Sequence, residues 1–380
     1  MSGRSLTVLQ VLPDLNGGGV ERGTLEIAGE LVRRGHRSLV ISAGGRLVDS
    51  LEQAGSQHIN WPIGKKSPWT AGYVLRLRSL LRREQVDVLH VRSRVPAWVC
   101  WLAWKSLPKS ARPRFVTTVH GFYNVSRFSE IMASGEAVIA VSRSIANYIR
   151  TSYPRTDASR ISVVPRGIDP REFPRGLTLT ADWQQCWASE FPETSGRQWL
   201  TLAGRLTRLK GHEDFLQMLV ELRRLGHDIH GLIVGDADPR RAGYADELRR
   251  RVTELGLSDR VTFTGHRADI REIYAASRAV FSLSTQPESF GRTVLEALAL
   301  GTPVIGYDHG GVGEILHDLY PLGATPLSDI PQLVLRTSEL LSGDRQLVPA
   351  FSQYRLADAL AQEVDLYEQL ATVRPTRGSA

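Results

Sequence analysis

Short apolar runs bounded by glycine and polar residues alternate with longer stretches of 3.6-residue apolar spacing along most of the chain. Leu6–Leu12 predicts a buried strand, Gly19–Arg34 an amphipathic helix stopped by Gly35, and Ser38–Ser42 the next strand. Further strands are expected at Val86–Val91, Arg114–Val119, Ala137–Val141 and Ile161–Val164, separated by helices near Ala71–Arg83, Ala97–Ser106 and Ser144–Tyr153. The alternation then stops. Asp169–Gln198 is a mixed stretch with several prolines and the aromatics Phe173, Trp183 and Trp187, which reads as a connection between domains. A second series follows, with strands at Trp199–Gly204, His230–Val234, Val261–Thr264, Ala279–Leu283 and Pro303–Gly306. Its helices are His212–Leu225, Tyr244–Leu255, Ile270–Ala276 and Arg292–Leu300, with terminal helices near Ile330–Leu341 and Gln353–Ala371.

Strand and helix alternating in this way build doubly wound parallel sheets. The pattern therefore predicts an α/β fold of two Rossmann-like lobes facing across a cleft. Residues 1–170 form the first domain, 171–198 the connection and 199–350 the second domain; a C-terminal helix within 351–380 packs back on the first. The length of 380 residues agrees with two cores, because single cores rarely grow beyond roughly 250–300 residues.

Composition narrows the class. With 42% hydrophobic and 23% charged residues the chain can bury a sizeable core in water. Cys100 and Cys186, far apart in sequence, make neither a disulfide framework nor a metal-ligand spacing. The opening apolar run is too short for a signal peptide, and no stretch of about 18 apolar residues occurs. These features predict a cytoplasmic protein. The net charge of +7 conceals an asymmetry: residues 1–175 hold 26 Lys+Arg against 13 Asp+Glu, which leaves 21 against 27 for the remainder. An excess confined to one half predicts an anionic partner for that half, such as a phosphorylated glycolipid or an anionic membrane surface. Trp98, Trp101 and Trp104, at helical spacing among cations, fit either a lipid interface or a helix packed on a sheet.

Candidate chemistry sits in the loops expected at the carboxyl ends of strands, where ligands of open α/β sheets bind. In the first lobe "DLNGGGVERG" follows the opening strand, and Gly18 and Gly19 let backbone approach a ligand. It is not a complete dinucleotide fingerprint, because the next strand ends without the acidic residue that would hold a ribose. In the second lobe "LAGRLTRLKGHEDFL" places Arg205 and Lys210 between a strand and its helix. Lys210 is the only lysine among the last 205 residues, and a fork beside a point charge suits a diphosphate. "QPESFGRTVLEALALGTPV" then puts Glu288 in a loop and Glu296 on the following helix, which Gly301 ends. Two such carboxylates can accept hydrogen bonds from separated sets of hydroxyls, as in a nucleotide sugar. Ser289, Phe290 and Gly291 present backbone N–H groups beside them.

"PESFGRTVLEALALGTPVI" resembles the paired-glutamate signature of the retaining glycosyltransferases of family 4, which have the two-lobed GT-B fold. "GGGVER", "VTTVHGFY", "AVIAVSRSI", "VVPRGID", "AGRLTRLKGHEDFL" and "GGVGEIL" match in the family's order across residues 6–316. The resemblance implies that Glu288 contacts the donor sugar, Glu296 the ribose, and Arg205 and Lys210 the diphosphate. It implies that the turn at Gly18 and Gly19 approaches the phosphates and that His120 lies near the reacting sugar. His266 and Arg267 would line the nucleobase, mainly through backbone. The implied reaction retains anomeric configuration and needs no metal or other cofactor; Asp236 and Asp238 of "GDAD" fall in an ordinary connecting loop. The implied acceptor is a glycan or glycolipid, such as growing lipopolysaccharide core, and not nucleic acid. A sugar-nucleotide epimerase or phosphorylase, or a non-catalytic nucleotide-sugar sensor, would share the architecture. One position departs from the family, which commonly has asparagine where Arg166 stands in "PRGID".

Overall fold

In the computed structural model, which describes residues 4–65, 67–236, 242–344 and 347–372, the strands assemble into two separate all-parallel sheets. The first unit comprises the chain up to Gly167 and resumes at Leu356; the second spans Ile168–Arg355. In chain order the first contains β1 (Thr7–Val11), α1 (Gly19–Arg33), β2 (Arg37–Ser42), α2 (Val48–Gln53), β3 (Gln57–Asn60) and α3 (Tyr73–Arg83). It continues with β4 (Val88–Val91), α4 (Arg94–Lys105), β5 (Arg114–Val119), the one-turn α5 (Arg127–Glu130), β6 (Ala137–Ala140), α6 (Arg143–Ser152) and β7 (Ile161–Val163). The second contains α7 (Ala181–Glu190), β8 (Gln198–Ala203), α8 (His212–Arg224), β9 (Ile229–Val234), α9 (Ala242–Glu254), β10 (Val261–Gly265) and α10 (Ile270–Ala276). It closes with β11 (Ala279–Ser282), α11 (Arg292–Leu300), β12 (Val304–Tyr307), α12 (Gly310–Leu319), β13 (Ala324–Thr325) and α13 (Ile330–Ser342). The last helix, α14 (Leu356–Thr372), belongs to the first unit.

The first sheet runs β3-β2-β1-β4-β5-β6-β7 and the second β10-β9-β8-β11-β12-β13. Interior strands such as β6 (AVIA) and β12 (VIGY) are buried on both faces, which is why their sequences read as continuous apolar runs and not as alternation. Helices cover both faces. On one face of the first sheet Ile27 and Leu31 of α1 pack with Val8, Val88 and Val116, together with Val364 and Tyr367 of α14. On the other, Leu77, Leu80 and Leu81 of α3 join Cys100 and Ala103 of α4 against Leu89 and Phe115.

The elements α2, β3, α5, α7, α12 and β13 lie outside the sequence expectation. Strand β3 has the polar sequence QHIN at a sheet edge, where one side needs no apolar cover. Helix α12 opens on glycines at 310, 311 and 313, which carry no side chain to mark an apolar face, and β13 is only two residues long. The stretch 171–198 holds α7, whose Trp187 is 3% exposed and packs with Trp183, Phe191 and Trp199 over Leu232, Val234 and Ile273 of the second unit. Its Nε1–H donates to Thr194 Oγ1 at 3.0 Å.

The second unit also buries His230 on β9, held between Thr262 (Nε2 to Oγ1, 2.9 Å) and Arg197 (3.3 Å). Burial, reinforced by the Arg197 charge, pushes its pKa from 6.5 down to about 4. The native state thus keeps His230 neutral over a range in which the unfolded chain protonates it, so stability falls as pH drops from about 6.5 towards 4. At pH 5 the loss is about 2 kcal/mol from this residue. Urea unfolding at pH 7 and pH 5 should show this drop in the wild type and a drop smaller by that amount in His230→Asn.

Candidate active site

In the second sheet the strand order reverses between β8 and β11, so the loops leaving these two strands flank the crevice in which open α/β sheets take ligands. The β8 loop turns through Gly204 (φ 151°) and ends at Gly211 (φ 71°), both left-handed positions. A Cβ on Gly204 would stand 3.3 Å from Lys210 Cε, and one on Gly211 would run into the Leu283 carbonyl. The two glycines therefore seat the lysine stem against β8 and let this loop approach the end of β11. Lys210 Nζ reaches Glu288 Oε1 at 2.6 Å, and the Ser284 hydroxyl donates to the same oxygen. His309 Nε2 in turn bonds the Ser284 carbonyl at 2.7 Å.

Burial alone would raise the Glu288 pKa, but the Lys210 charge and the hydrogen bonds from Lys210 and Ser284 outweigh it and hold the carboxyl below its usual range. Glu288 is thus ionised and Lys210 has its counter-ion, while side-chain exposures of 25% and 29% leave both open to a ligand. The backbone of this loop is pinned as well. Gly311 N donates to Glu288 O at 2.8 Å, and a side chain on Gly310 or Gly311 would collide with residues 288–290. Ser289, buried Phe290 and Gly291 (φ 106°) lead into the N-terminus of α11, whose first N–H groups carry the partial positive charge of a helix start. Glu296 lies on α11, 12% exposed and paired with Arg292 at 3.1 Å.

Arg205 is exposed on the β8 loop. His266, also exposed, donates its backbone N–H to Asp236 Oδ1 at 2.9 Å. The Arg267 guanidinium is engaged with Asp269 (2.8 and 2.9 Å) and Glu190 (2.8 Å) and lies over Trp187 and Phe191, so this side chain is committed to partners within the second unit. Asp238 lies outside the described residues. Ser284 and His309 escaped sequence reading; their signal was position, each following a strand of the second sheet at its carboxyl end.

The first sheet reverses its order between β1 and β4, beside the turn at Gly17, Gly18 and Gly19. His120 follows β5, and the Arg166 Nη2 stands 3.0 Å from its Nδ1. Burial, with the charges of Arg166 and Arg92, puts the His120 pKa well below the ordinary value, so the imidazole is neutral. Its Nε2 is buried with no hydrogen-bond partner among the described residues. Leaving such a group unpaired costs about 1–3 kcal/mol. The rings of Trp98, Trp101 and Trp104 pack on the first core; Trp98 and Trp104 donate to Phe128 O (3.0 Å) and Pro113 O (2.8 Å), and Lys105 lies 5.5 Å from the Trp101 and Trp104 rings. Among the described residues no helix is long and apolar enough to cross a membrane.

The family model described as Glycosyltransferase Family 4 matches residues 17–172, and that described as Glycosyl transferases group 1 matches residues 187–344. N-acetyl-alpha-D-glucosaminyl L-malate synthase of Bacillus anthracis is 26% identical over 93% of this chain and 94% of its own length. Several other curated relatives match over about half of their own length or less. A crystal structure of a glycosyltransferase from Rickettsia africae superposes with a TM-score of 0.86 at 27% identity, covering 97% of this chain and all of the other. Anabaena Alr3699/HepE, solved in complex with UDP and glucose, superposes with a TM-score of 0.74 at 22% identity, covering 97% and 98%.

Proposed function

Because the chain belongs to the family 4 glycosyltransferases, with the GT-B pair of Rossmann-like units, we propose that it moves a hexose- or heptose-type sugar from a nucleotide-diphosphate donor to a glycan or glycolipid acceptor, with retention of anomeric configuration. The observation that carries this reading is the Lys210–Glu288 pair at the switch point of the second sheet, beside the α11 N-terminus. An ionised carboxylate accepts hydrogen bonds from sugar hydroxyls, and a fixed ammonium faces the phosphate oxygens. Breaking the anomeric bond places negative charge on the leaving diphosphate. Lys210 and Arg205, with the N–H groups of Ser289, Phe290 and Gly291, then stabilise the transition state more than the ground state, and supply this counter-charge without a metal. Glu296 is assigned to the ribose, and the turn around His266 and Arg267 to the nucleobase through its backbone. For Gly18, Gly19 and His120 we keep the roles that the resemblance gives them. The cationic excess of residues 1–175 supports an anionic acceptor presented at a membrane surface, such as a phosphorylated lipopolysaccharide core.

Incubation of the wild type with UDP-, GDP- and ADP-linked hexoses tests the reading. We expect slow release of free sugar and nucleoside diphosphate from one of them. Conversion into an isomeric nucleotide sugar would instead make the protein an epimerase, and tight binding with no product would make it a sensor.

A further inference from the structure

Arg166 is the position at which the sequence departs from its family, and the structure gives its side chain a specific seat. The guanidinium lies against α1 at Gly23, where even a single methyl group would overlap Arg166 Nη1 and crowd Cζ at 2.8 Å. Gly23 is buried within the helix and has no turn to make there, so its missing side chain is explained by this neighbour. From that notch the guanidinium reaches His120 Nδ1 at 3.0 Å. A guanidinium has only donors, so the nitrogen facing it must be the acceptor. A neutral imidazole that accepts at Nδ1 carries its proton on Nε2, and Nε2 is the buried atom left without a partner among the described residues.

We infer that Arg166 is a positioning residue that locks His120 as the Nε2–H tautomer, so that Nε2–H is held ready to donate to an oxygen of the bound substrate. The substrate contact rests on the role proposed above for His120; the tautomer lock does not. Lysine at 166 could not reproduce it, because one ammonium on a flexible stem has no planar fork to lie flat against Gly23. Asparagine could not enforce it either, because its amide offers an acceptor as well as donors.

Two measurements separate the parts. Imidazole ¹⁵N spectra of the ligand-free protein should show His120 as the Nε2–H form in the wild type and a population of the Nδ1–H form in Arg166→Met. An unchanged tautomer in Arg166→Met overturns the inference. The second measurement is a cycle on turnover of whichever of UDP-glucose, GDP-mannose and ADP-glucose is a donor. Arg166→Met should lower kcat by about 10- to 100-fold, the scale for groups that orient a functional imidazole through its other nitrogen. Gly23→Ala should cause a comparable loss by displacing the guanidinium, and should have little further effect in the Arg166→Met background. Additive losses from Gly23→Ala and Arg166→Met overturn the seat described here. A tautomer that shifts while kcat stays within threefold supports the lock and overturns the contact between His120 and substrate.

Discussion

Lys210→Met should lower kcat/KM by about 10²–10³-fold, a loss of about 2.7–4 kcal/mol of transition-state stabilisation on the scale of one removed oxyanion donor. Methionine keeps an unbranched stem against Gly204 and deletes only the charge, so the β8 loop retains its packing. Stability should change by less than about 1 kcal/mol, since an ion pair with both side chains a quarter or more exposed contributes little to folding. Glu288→Gln should fall in the same range as Lys210→Met, and the double variant should lose little more than either alone, because the carboxylate and the ammonium orient one another. The measurement is steady-state turnover of the donor found in the nucleotide-sugar panel, with thermal melts of each variant alongside. Turnover of Lys210→Met within threefold of wild type, at an unchanged melting temperature, would remove Lys210 from the chemistry.

Why the sequence exposed this pair and hid others follows from how each is held. Lys210 and Glu288 lie in loops whose frames are written locally. Glycines at 204 and 211 mark a left-handed turn, Gly301 ends α11 in the left-handed region, and both loops follow apolar runs that could only be buried parallel strands. Their contact is long in sequence but short in topology, because β8 and β11 are hydrogen-bonded neighbours. The network of the first unit is different. His90 and Arg92 stand at the end of a fully buried strand, in "VLHVRS", and such polar residues in a buried setting were the available signal. Their partner Glu363 lies 271 residues away on α14, where a glutamate on an amphipathic helix reads as a solvated face. Nothing in periodicity pairs them. Arg166 was legible only as a departure, and its role needed the notch at Gly23 and the orientation of His120.

The second large effect concerns that network, which ties α14 to the first sheet. Arg92, with no exposed side-chain surface, donates to Glu363 Oε1 at 2.6 Å and to Gln10 Oε1 at 2.7 and 3.0 Å. The same Glu363 oxygen accepts the Tyr367 hydroxyl proton at 2.6 Å. Tyr367, having given its proton to a carboxylate, accepts from His90 Nδ1 at 2.6 Å, and His90 Nε2 accepts from Thr118 at 2.6 Å. Burial, with the Arg92 charge, keeps His90 neutral, which this order of donors requires. Arg92→Ala would strand a buried carboxylate, and we expect it to cost about 3–5 kcal/mol. Glu363→Leu should cost a similar amount by stranding the guanidinium. Replacing both, as Arg92→Leu with Glu363→Leu, removes the two desolvated charges together and should recover most of the loss, because apolar substitutes for a buried pair are often neutral or stabilising. Urea unfolding of the whole protein measures the totals, and amide exchange locates them. In Arg92→Ala the amides of α14 should lose protection before those of β1 and β4, since the broken pair joins the helix to the sheet while the ladder between those strands is untouched. An Arg92→Ala protein within about 1 kcal/mol of wild type, or a double variant worse than the sum of the singles, would show that α14 is held by its apolar contacts with Ile27 and Leu31 and not by this ion pair.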